Sequence, residues 1–99
     1  MTKTLSMDSN VVVAKDQMSS NLGGEIAVLG LKTGKYYGLD AVGARIWELI
    51  QEPRTIEEVR DVLLSEYQVE PGRCERDLLA LLQKLADEGL IEVKDDTFA

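Results

Sequence analysis

Apolar residues follow a strand-like pattern in the first part of the chain and a helical pattern after about residue 40. A β-branched run at residues 11–14 and two apolar segments at residues 25–31 and 36–39 have the length and composition of strands. Residues 32–35 connect the predicted strands at residues 25–31 and 36–39, and Gly34 suits a tight turn there. We therefore predict three strands that form one small antiparallel sheet.

The first predicted helix begins at Asp40, because an aspartate side chain can accept a hydrogen bond from a backbone amide of the first turn. Helical periodicity divides the residues that follow into two faces. The buried face is predicted to hold Val42, Gly43, Ile46, Trp47, Leu49 and Ile50, and the exposed face to hold Ala44, Arg45 and Glu48. We interpret residues 35–50, which contain the single Trp of the chain, as the centre of the fold.

A second helix is predicted from Thr55, because Thr55 and Glu58 have the spacing of a capping box. It ends before Pro71. Its apolar stripe consists of Ile56, Val59, Leu63 and Tyr67, widened by Val62.

A third helix is predicted over residues 71–88, with Pro71 in its first turn and Gly89 just past its end, where Leu90 can fold back onto Leu85. Its apolar surface is broader than one core needs. One row holds Cys74, Leu78, Leu81 and Leu85, and a second holds Leu79, Leu82 and Ala86. Residues 90–93 are predicted to form a brief strand.

The predicted fold class is α+β, with a three-stranded antiparallel sheet followed by three helices in a winged helix-turn-helix-like arrangement. At 99 residues the chain is predicted to be one domain, residues 1–99, with residues 1–10 and 94–99 loose.

Charge and composition narrow the possible partners. The net charge is -7, from 18 acidic and 11 basic residues, which disfavours binding to nucleic acid and to anionic membranes. The first residues lack an apolar signal core, no apolar run approaches the roughly 20 residues that span a bilayer, and a single Cys excludes an internal disulfide. We expect a cytoplasmic protein.

Catalytic chemistry has few candidate residues. The chain has no His, which removes the commonest general base and metal ligand, and one Cys does not make a thiolate cage. We expect no enzymatic activity, no cofactor and no metal. Cys74 is interpreted as a small apolar residue, and both Trp47 and Tyr67 are assigned to the core because each lies on an apolar stripe.

Several segments carry a family resemblance. They are YGLD at residues 37–40, GARIWEL at residues 43–49, RTIEEV at residues 54–59 and a Leu-rich helix followed by EGLI at residues 88–91. In this order and spacing they resemble the PqqD-like family, small domains that bind the leader of a ribosomally made peptide and present it to modifying enzymes. The resemblance covers about residues 10–93. With YYGLD at residues 36–40, the chain is most similar to the leader-binding half of split lasso-peptide processing systems.

The resemblance implies a groove between the third strand and the third helix, where an extended peptide adds to the sheet edge. Main-chain groups of Tyr36 and Gly38 would pair with the peptide, and pockets would take alternate side chains. The peptide-binding residues expected are Lys35, Tyr36, Tyr37, Gly38, Leu39, Arg73, Cys74, Asp77, Leu78 and Leu81. The alternative is that both apolar rows face one core and that residues 1–14 cover the third strand.

Charged residues near this groove have two interpretations. Lys35, Arg73 and Arg76 either form a basic rim for acidic leader residues or are ordinary solvated charges. The third helix also offers Arg73, Arg76 and Lys84 to DNA, but four acidic residues on the same helix oppose phosphate contact: Glu75, Asp77, Asp87 and Glu88.

The function implied by the resemblance is that of a non-catalytic adaptor, with the precursor leader peptide as its ligand. It would deliver the leader to a separate cysteine-protease-type leader peptidase and to an ATP-dependent lasso cyclase. Three alternatives remain: an accessory protein of a PQQ or radical-enzyme peptide-modification pathway, a winged-helix DNA-binding regulator, and a structural subunit that binds an enzyme but no peptide.

Overall fold

Two small antiparallel sheets and three helices make up the computed structural model, which describes residues 5–94. The α+β class is therefore confirmed. In chain order the elements are β1 (Asn10–Val13), β2 (Gln17–Asn21), β3 (Ile26–Gly30), β4 (Tyr36–Leu39), α1 (Ala41–Leu49), β5 (Arg54–Thr55), α2 (Ile56–Glu66), α3 (Pro71–Asp87) and β6 (Ile91–Val93). No helix in residues 5–94 is long and apolar enough to cross a membrane.

The strands are grouped differently from the prediction. One sheet has the order β2-β3-β4 and the other has the order β5-β1-β6. The predicted first strand, β1, belongs to the second sheet, and its expected place beside β3 is taken by β2, which the sequence did not indicate. The winged helix-turn-helix-like arrangement, which was predicted from one three-stranded sheet followed by three helices, is not confirmed, because the strands form two sheets.

The N-terminal segment is packed from Leu5 onwards. Leu5 is 7% exposed and belongs to the hydrophobic core, and the carbonyls of Met7 and Ser9 accept hydrogen bonds from the start of α2. The prediction that residues 1–10 are loose is therefore wrong for residues 5–10. The Lys94 amide likewise donates to Asn10, so residue 94 is also held, whereas residues 1–4 and 95–99 lie outside the described residues.

Helix α1 begins as predicted, because Asp40 Oδ1 accepts a hydrogen bond from the Gly43 amide at 2.9 Å. Its buried arc includes Trp47, which is 2% exposed, but two assignments on the helical wheel are wrong. Ala44 is buried and Val42 is 41% exposed. The core therefore covers the Ala44 side of the helix and leaves the Val42 side of its first turn uncovered.

Helix α2 is fixed at its start by the predicted capping box. Thr55 Oγ1 accepts from the Glu58 amide at 3.1 Å, and Glu58 Oε1 accepts from the Thr55 amide at 2.8 Å. Ion pairs join α2 to both neighbouring helices, through Arg45 and Glu66 on the α1 side and through Arg60 and Glu75 on the α3 side. These ion pairs link α2 to α1 and α3 at the surface, while Ile56, Val59 and Leu63 bury α2 in the core.

The capping box gives a stability prediction. Thr55→Ala removes the side-chain acceptor for the Glu58 amide, so we expect the free energy of unfolding to fall by about 1 kcal/mol, whereas Thr55→Ser should retain most of it. Urea unfolding followed by far-UV circular dichroism measures both values. Equal stability of the alanine and wild-type proteins would show that the cap contributes nothing.

Helix α3 ends as predicted. Gly89 has φ +76°, the Leu90 amide donates to the Leu85 carbonyl at 2.9 Å, and the Gly89 amide donates to the Ala86 carbonyl at 3.0 Å. The division into two apolar rows was wrong. The buried stripe consists of Cys74, Leu78, Leu82 and Leu85, while the partly exposed Leu81 lies on one flank and Leu79 and Ala86 lie on the other.

Candidate functional site

Strand β4 has an unpaired edge among the described residues. It pairs with β3 in the register Val28 opposite Tyr37 and Ala27 opposite Gly38, and it has no second neighbour in its sheet. Residues 10–13, which the alternative interpretation placed over this edge, instead pair with β5 and β6. Within residues 5–94, therefore, no strand of the chain covers β4.

The hydrogen-bond alternation of the sheet identifies which groups face this edge. Leu22 donates to Glu25 at 2.7 Å and Gly30 donates to Lys35 at 2.9 Å, and these two bonds close the β2–β3 and β3–β4 hairpins. Because bonded pairs alternate along an antiparallel ladder, Tyr37 and Leu39 point their main-chain groups at β3. The amides and carbonyls of Tyr36 and Gly38 therefore face outward.

A cavity of about 660 Å³ opens beside this edge. It lies between the end of β4, the first turns of α1, the α2–α3 connection and the first half of α3. Its lining is mainly apolar and consists of Gly38, Leu39, Asp40, Val42, Gly43, Ile46, Leu63, Tyr67, Gln68, Val69, Arg73, Cys74, Asp77, Leu78 and Leu81. We call this cavity, together with the open edge of β4, the groove.

The structure brings together most of the residues predicted for the site. Seven of the ten line the cavity: Gly38, Leu39, Arg73, Cys74, Asp77, Leu78 and Leu81. The other three are not part of its lining: Tyr36 and Tyr37 are the first two residues of β4, and Lys35 comes just before them.

Depth within the groove differs among the residues of α3. Leu78 is 2% exposed and Cys74 is 7% exposed, so both belong to the core and form the floor. Leu81 is partly exposed and forms a wall. Burial raises the pKa of the Cys74 thiol, so the thiol is protonated at neutral pH and contributes an apolar surface.

A polar cluster ties β4 to the C-terminal end of α3. The Lys84 ammonium lies 5.4 Å from the centre of the Tyr37 ring, and Lys35 Nζ lies 3.7 Å from Glu88 Oε1. Burial raises the pKa of Tyr37, and a hydrogen bond to Glu88 and the Glu88 charge raise it further. Tyr37 therefore remains a neutral phenol that connects β4 to α3, while the groove stays open beside Gly38.

Sequence reasoning missed the wall opposite α3. Val42 and Tyr67 had been assigned to the core, but they are 41% and 37% exposed and line the cavity. Tyr67 follows the last residue of α2, so the helical stripe no longer fixes the direction of its side chain. Gln68 and Val69 in the α2–α3 connection also line the cavity and carried no sequence signal.

The predicted basic rim is not assembled. Arg73 lines the cavity, with its Nε 3.7 Å from Asp77 Oδ2, and the two side chains form an exposed polar lip. Lys35 is paired with Glu88. Arg76 is exposed on α3 and is not part of the cavity lining.

Among residues 5–94, no three Cys, Asp or Glu side chains converge in a way that could hold a metal ion.

Comparisons with known proteins match most of the chain. The family model of coenzyme PQQ synthesis protein D (PqqD) matches residues 25–91. The solved structure of TbiB1 in complex with the TbiA(beta) leader peptide is 40% identical and covers 86% of this chain and 99% of that chain, with a TM-score of 0.78. A second structure, lasso peptide synthetase B1 complexed with the leader peptide, is 24% identical and covers 83% of this chain and 96% of that chain. Its TM-score of 0.73 shows a shared fold. A search of curated proteins gives no significant match.

Proposed function

Because the chain belongs to the PqqD family, we propose that it binds the leader of a precursor peptide as an added strand on the open edge of β4. The observation that carries this proposal is the unpaired edge beside an apolar cavity. TbiB1, which is 40% identical over nearly its whole length, was solved with a leader peptide, and this supports a peptide as the ligand.

The open edge supplies affinity that is independent of the leader's sequence. Tyr36 and Gly38 each offer one amide and one carbonyl, so a guest strand gains up to four main-chain hydrogen bonds worth about 1 kcal/mol each. Association costs about 4 kcal/mol or more, which offsets these bonds. Backbone pairing alone therefore does not hold the leader.

The cavity supplies the remaining affinity and the selectivity. Side chains of an added strand alternate between its two faces, so every second one points at the cavity. An apolar side chain buried there gains about 2 kcal/mol, and the lining of Val42, Tyr67 and Leu81 suits such anchors. Arg73 at the lip is placed to attract an acidic leader residue beside them.

The residues proposed to contact the leader combine those expected from the sequence with others that line the cavity. From the sequence they are Lys35, Tyr36, Tyr37, Gly38, Leu39, Arg73, Cys74, Asp77, Leu78 and Leu81, and the structure adds Val42, Tyr67 and Val69.

We propose further that the protein is a non-catalytic adaptor in lasso-peptide maturation, acting in the cytoplasm. It would hold the precursor for a separate cysteine-protease-type leader peptidase and an ATP-dependent cyclase, and so raise the effective concentration of the cleavage site near the peptidase. The resemblance of residues 36–40 to the lasso systems favours this pathway. An accessory protein in a PQQ or radical-enzyme pathway would use the same groove.

Substitution of Gly38 tests strand addition directly. Its amide faces outward, so Gly38→Pro removes one hydrogen bond and puts a ring in the guest's path without affecting the pairing of β4 with β3. We expect leader affinity to fall by about tenfold or more, as measured by the fluorescence anisotropy of a labelled leader.

Gly38→Ala is the matched control. A Cβ added at Gly38 meets nothing within 4 Å, and alanine keeps the amide, so affinity should stay close to that of the wild type. Wild-type affinity in a folded Gly38→Pro protein would rule out strand addition at this edge.

A further inference from the structure

Strand β2 lies at the edge of its sheet opposite to β4. It pairs with β3 on one side, and no other strand within residues 5–94 pairs with it. The Leu22 amide donates to the Glu25 carbonyl where the hairpin closes, so the bonded positions of β2 are the even-numbered ones. The main-chain groups that face outward therefore belong to Gln17, Ser19 and Asn21.

This edge lacks the features that normally protect an exposed strand from pairing. In most proteins charged residues, prolines or bulges serve this purpose. β2 has the sequence QMSSN, with neither a charge nor a proline, and its register with β3 runs without a bulge from Gln17 to Asn21. Five residues of regular strand are therefore available to another strand.

A strand of a second folded copy fits this edge better than a free peptide does. Four of the five side chains of β2 are exposed, on both faces of the sheet, so a peptide would gain main-chain bonds with little side-chain burial. It would also lose conformational entropy on becoming a strand, whereas β2 of a second copy is already ordered. The edge therefore favours a strand that is formed in advance.

Antiparallel pairing about a two-fold axis at Ser19 uses every outward-facing group of β2. Ser19 then pairs with Ser19 of the second copy, and Gln17 pairs with Asn21 on both sides of the axis, each pair exchanging two hydrogen bonds. Met18, which is 62% exposed, lies opposite Ser20 of the second copy and diagonal to its Met18. The two methionines are therefore close enough to pack against each other.

Charge at the two ends of β2 favours the same arrangement. Lys15 precedes the strand and Glu25 follows the turn after it; both are exposed, and neither makes an ion pair with another residue in the range 5–94. Near Lys15, Lys32 and Asp16 neutralise each other, so Lys15 sets the charge of its end. Two-fold pairing places the Lys15 end of each copy beside the Glu25 end of the other, whereas parallel pairing would bring like charges together.

We propose that two copies of the protein form a dimer through β2, with the strand order β4-β3-β2-β2-β3-β4. The two grooves then lie at the outer edges of one six-stranded sheet, roughly 24 Å apart at a spacing of about 4.8 Å per strand. Each β4 edge stays free, so the dimer carries two leader sites that do not overlap. The interface does not depend on leader binding, whereas the two leader sites rest on the proposed function.

Sedimentation equilibrium of the full-length protein, over micromolar to submillimolar concentrations, tests the dimer. The wild type should show a concentration-dependent equilibrium between monomer and dimer, because the interface is small. Ser19→Pro removes the outward-facing amide on the axis, so both central hydrogen bonds are lost while the pairing with β3 remains. We expect the dimer dissociation constant to rise by about tenfold or more. Ser19→Ala keeps the amide and should stay within about twofold of the wild type.

Charge reversal tests the two-fold arrangement independently. Lys15→Glu sets two carboxylates against each other at both ends of the interface, so the dissociation constant should rise by about threefold or more. Adding Glu25→Lys to this variant should bring the value back to within about twofold of the wild type. Such recovery requires ends of opposite charge to meet, which neither parallel pairing nor a different surface predicts.

The outcomes separate the two proposals. Pairing through β2 would be overturned by a wild type that stays monomeric at submillimolar concentration, by a dimer that folded Ser19→Pro retains, or by absence of recovery in the charge-swapped variant. Leader affinity of Ser19→Pro, measured by fluorescence anisotropy, should stay within about twofold of the wild type, because β4 is at the other edge of the sheet. Failure of the wild type to bind leader would refute the proposed function and leave the dimer unaffected.

Discussion

Replacing Leu81 with glutamate is expected to weaken leader binding by about 30-fold or more. Leu81 forms a partly exposed wall of the cavity, so the variant loses an apolar contact of about 2 kcal/mol and places a charge where an apolar anchor would lie. Asp77 is already in the lining, so a second carboxylate adds no compensating partner. Fluorescence anisotropy of a labelled leader measures the change.

The choice of Leu81 depends on the burial seen along α3. Leu78 also lines the cavity, but it is 2% exposed, and Leu78→Glu would put a charge into the core and unfold the protein. Ala80→Glu places the same charge on the exposed side of the helix and should leave binding intact. If Leu81→Glu, shown to be folded by circular dichroism, bound leader as well as the wild type does, the cavity would not be the anchor site.

Replacing Trp47 with alanine is expected to lower the free energy of unfolding by roughly 3–5 kcal/mol. Trp47 is 2% exposed within the main core cluster, so truncation leaves a large internal cavity. Domains of this size are stable by roughly 5–15 kcal/mol, so the loss is a large fraction of the total stability. Urea denaturation followed by far-UV circular dichroism gives the value without relying on indole fluorescence.

Trp47→Phe provides the comparison for this result. A phenylalanine ring fills part of the space, so the free energy of unfolding should fall clearly less in this variant than in the alanine variant. A loss below about 1 kcal/mol for Trp47→Ala would show that residues 35–50 are not the centre of the fold.

Helix boundaries could be predicted from the sequence because their signals are local. The Asp40 cap, the Thr55 capping box and the Gly89 end each depend on hydrogen bonds between residues only a few positions apart. The residues that make such bonds can therefore be recognised without knowing the tertiary fold. The three helices were therefore predicted with nearly correct limits.

Strand pairing could not be predicted in the same way, because it depends on distant residues. β2 has the sequence QMSSN, with four of its five residues exposed, so it lacked the apolar alternation that marks a strand. β1 pairs with β5 and β6, which lie more than forty positions further along the chain. The valine run indicated a buried strand but not which sheet would bury it.

The α3 wall of the groove could be predicted from the sequence and the opposite wall could not, again because the second depends on contacts between distant residues. The α3 residues were predicted from an apolar surface too broad for one core, together with the family resemblance, and the structure places Cys74, Leu78 and Leu81 in the lining. Val42 and Tyr67 were missed because each continues an apolar helical stripe. Only the packing of α1 and α2 against β4 and α3 leaves these two side chains uncovered.

Amide hydrogen exchange at Tyr36 and Gly38 tests strand addition most directly. These amides face the open edge, so saturating leader peptide should slow their exchange by about tenfold or more. The Ser19 amide, which by the same alternation faces the other edge of the sheet, should exchange at an unchanged rate. Unchanged exchange at both Tyr36 and Gly38, with the leader shown to be bound, would contradict the proposal.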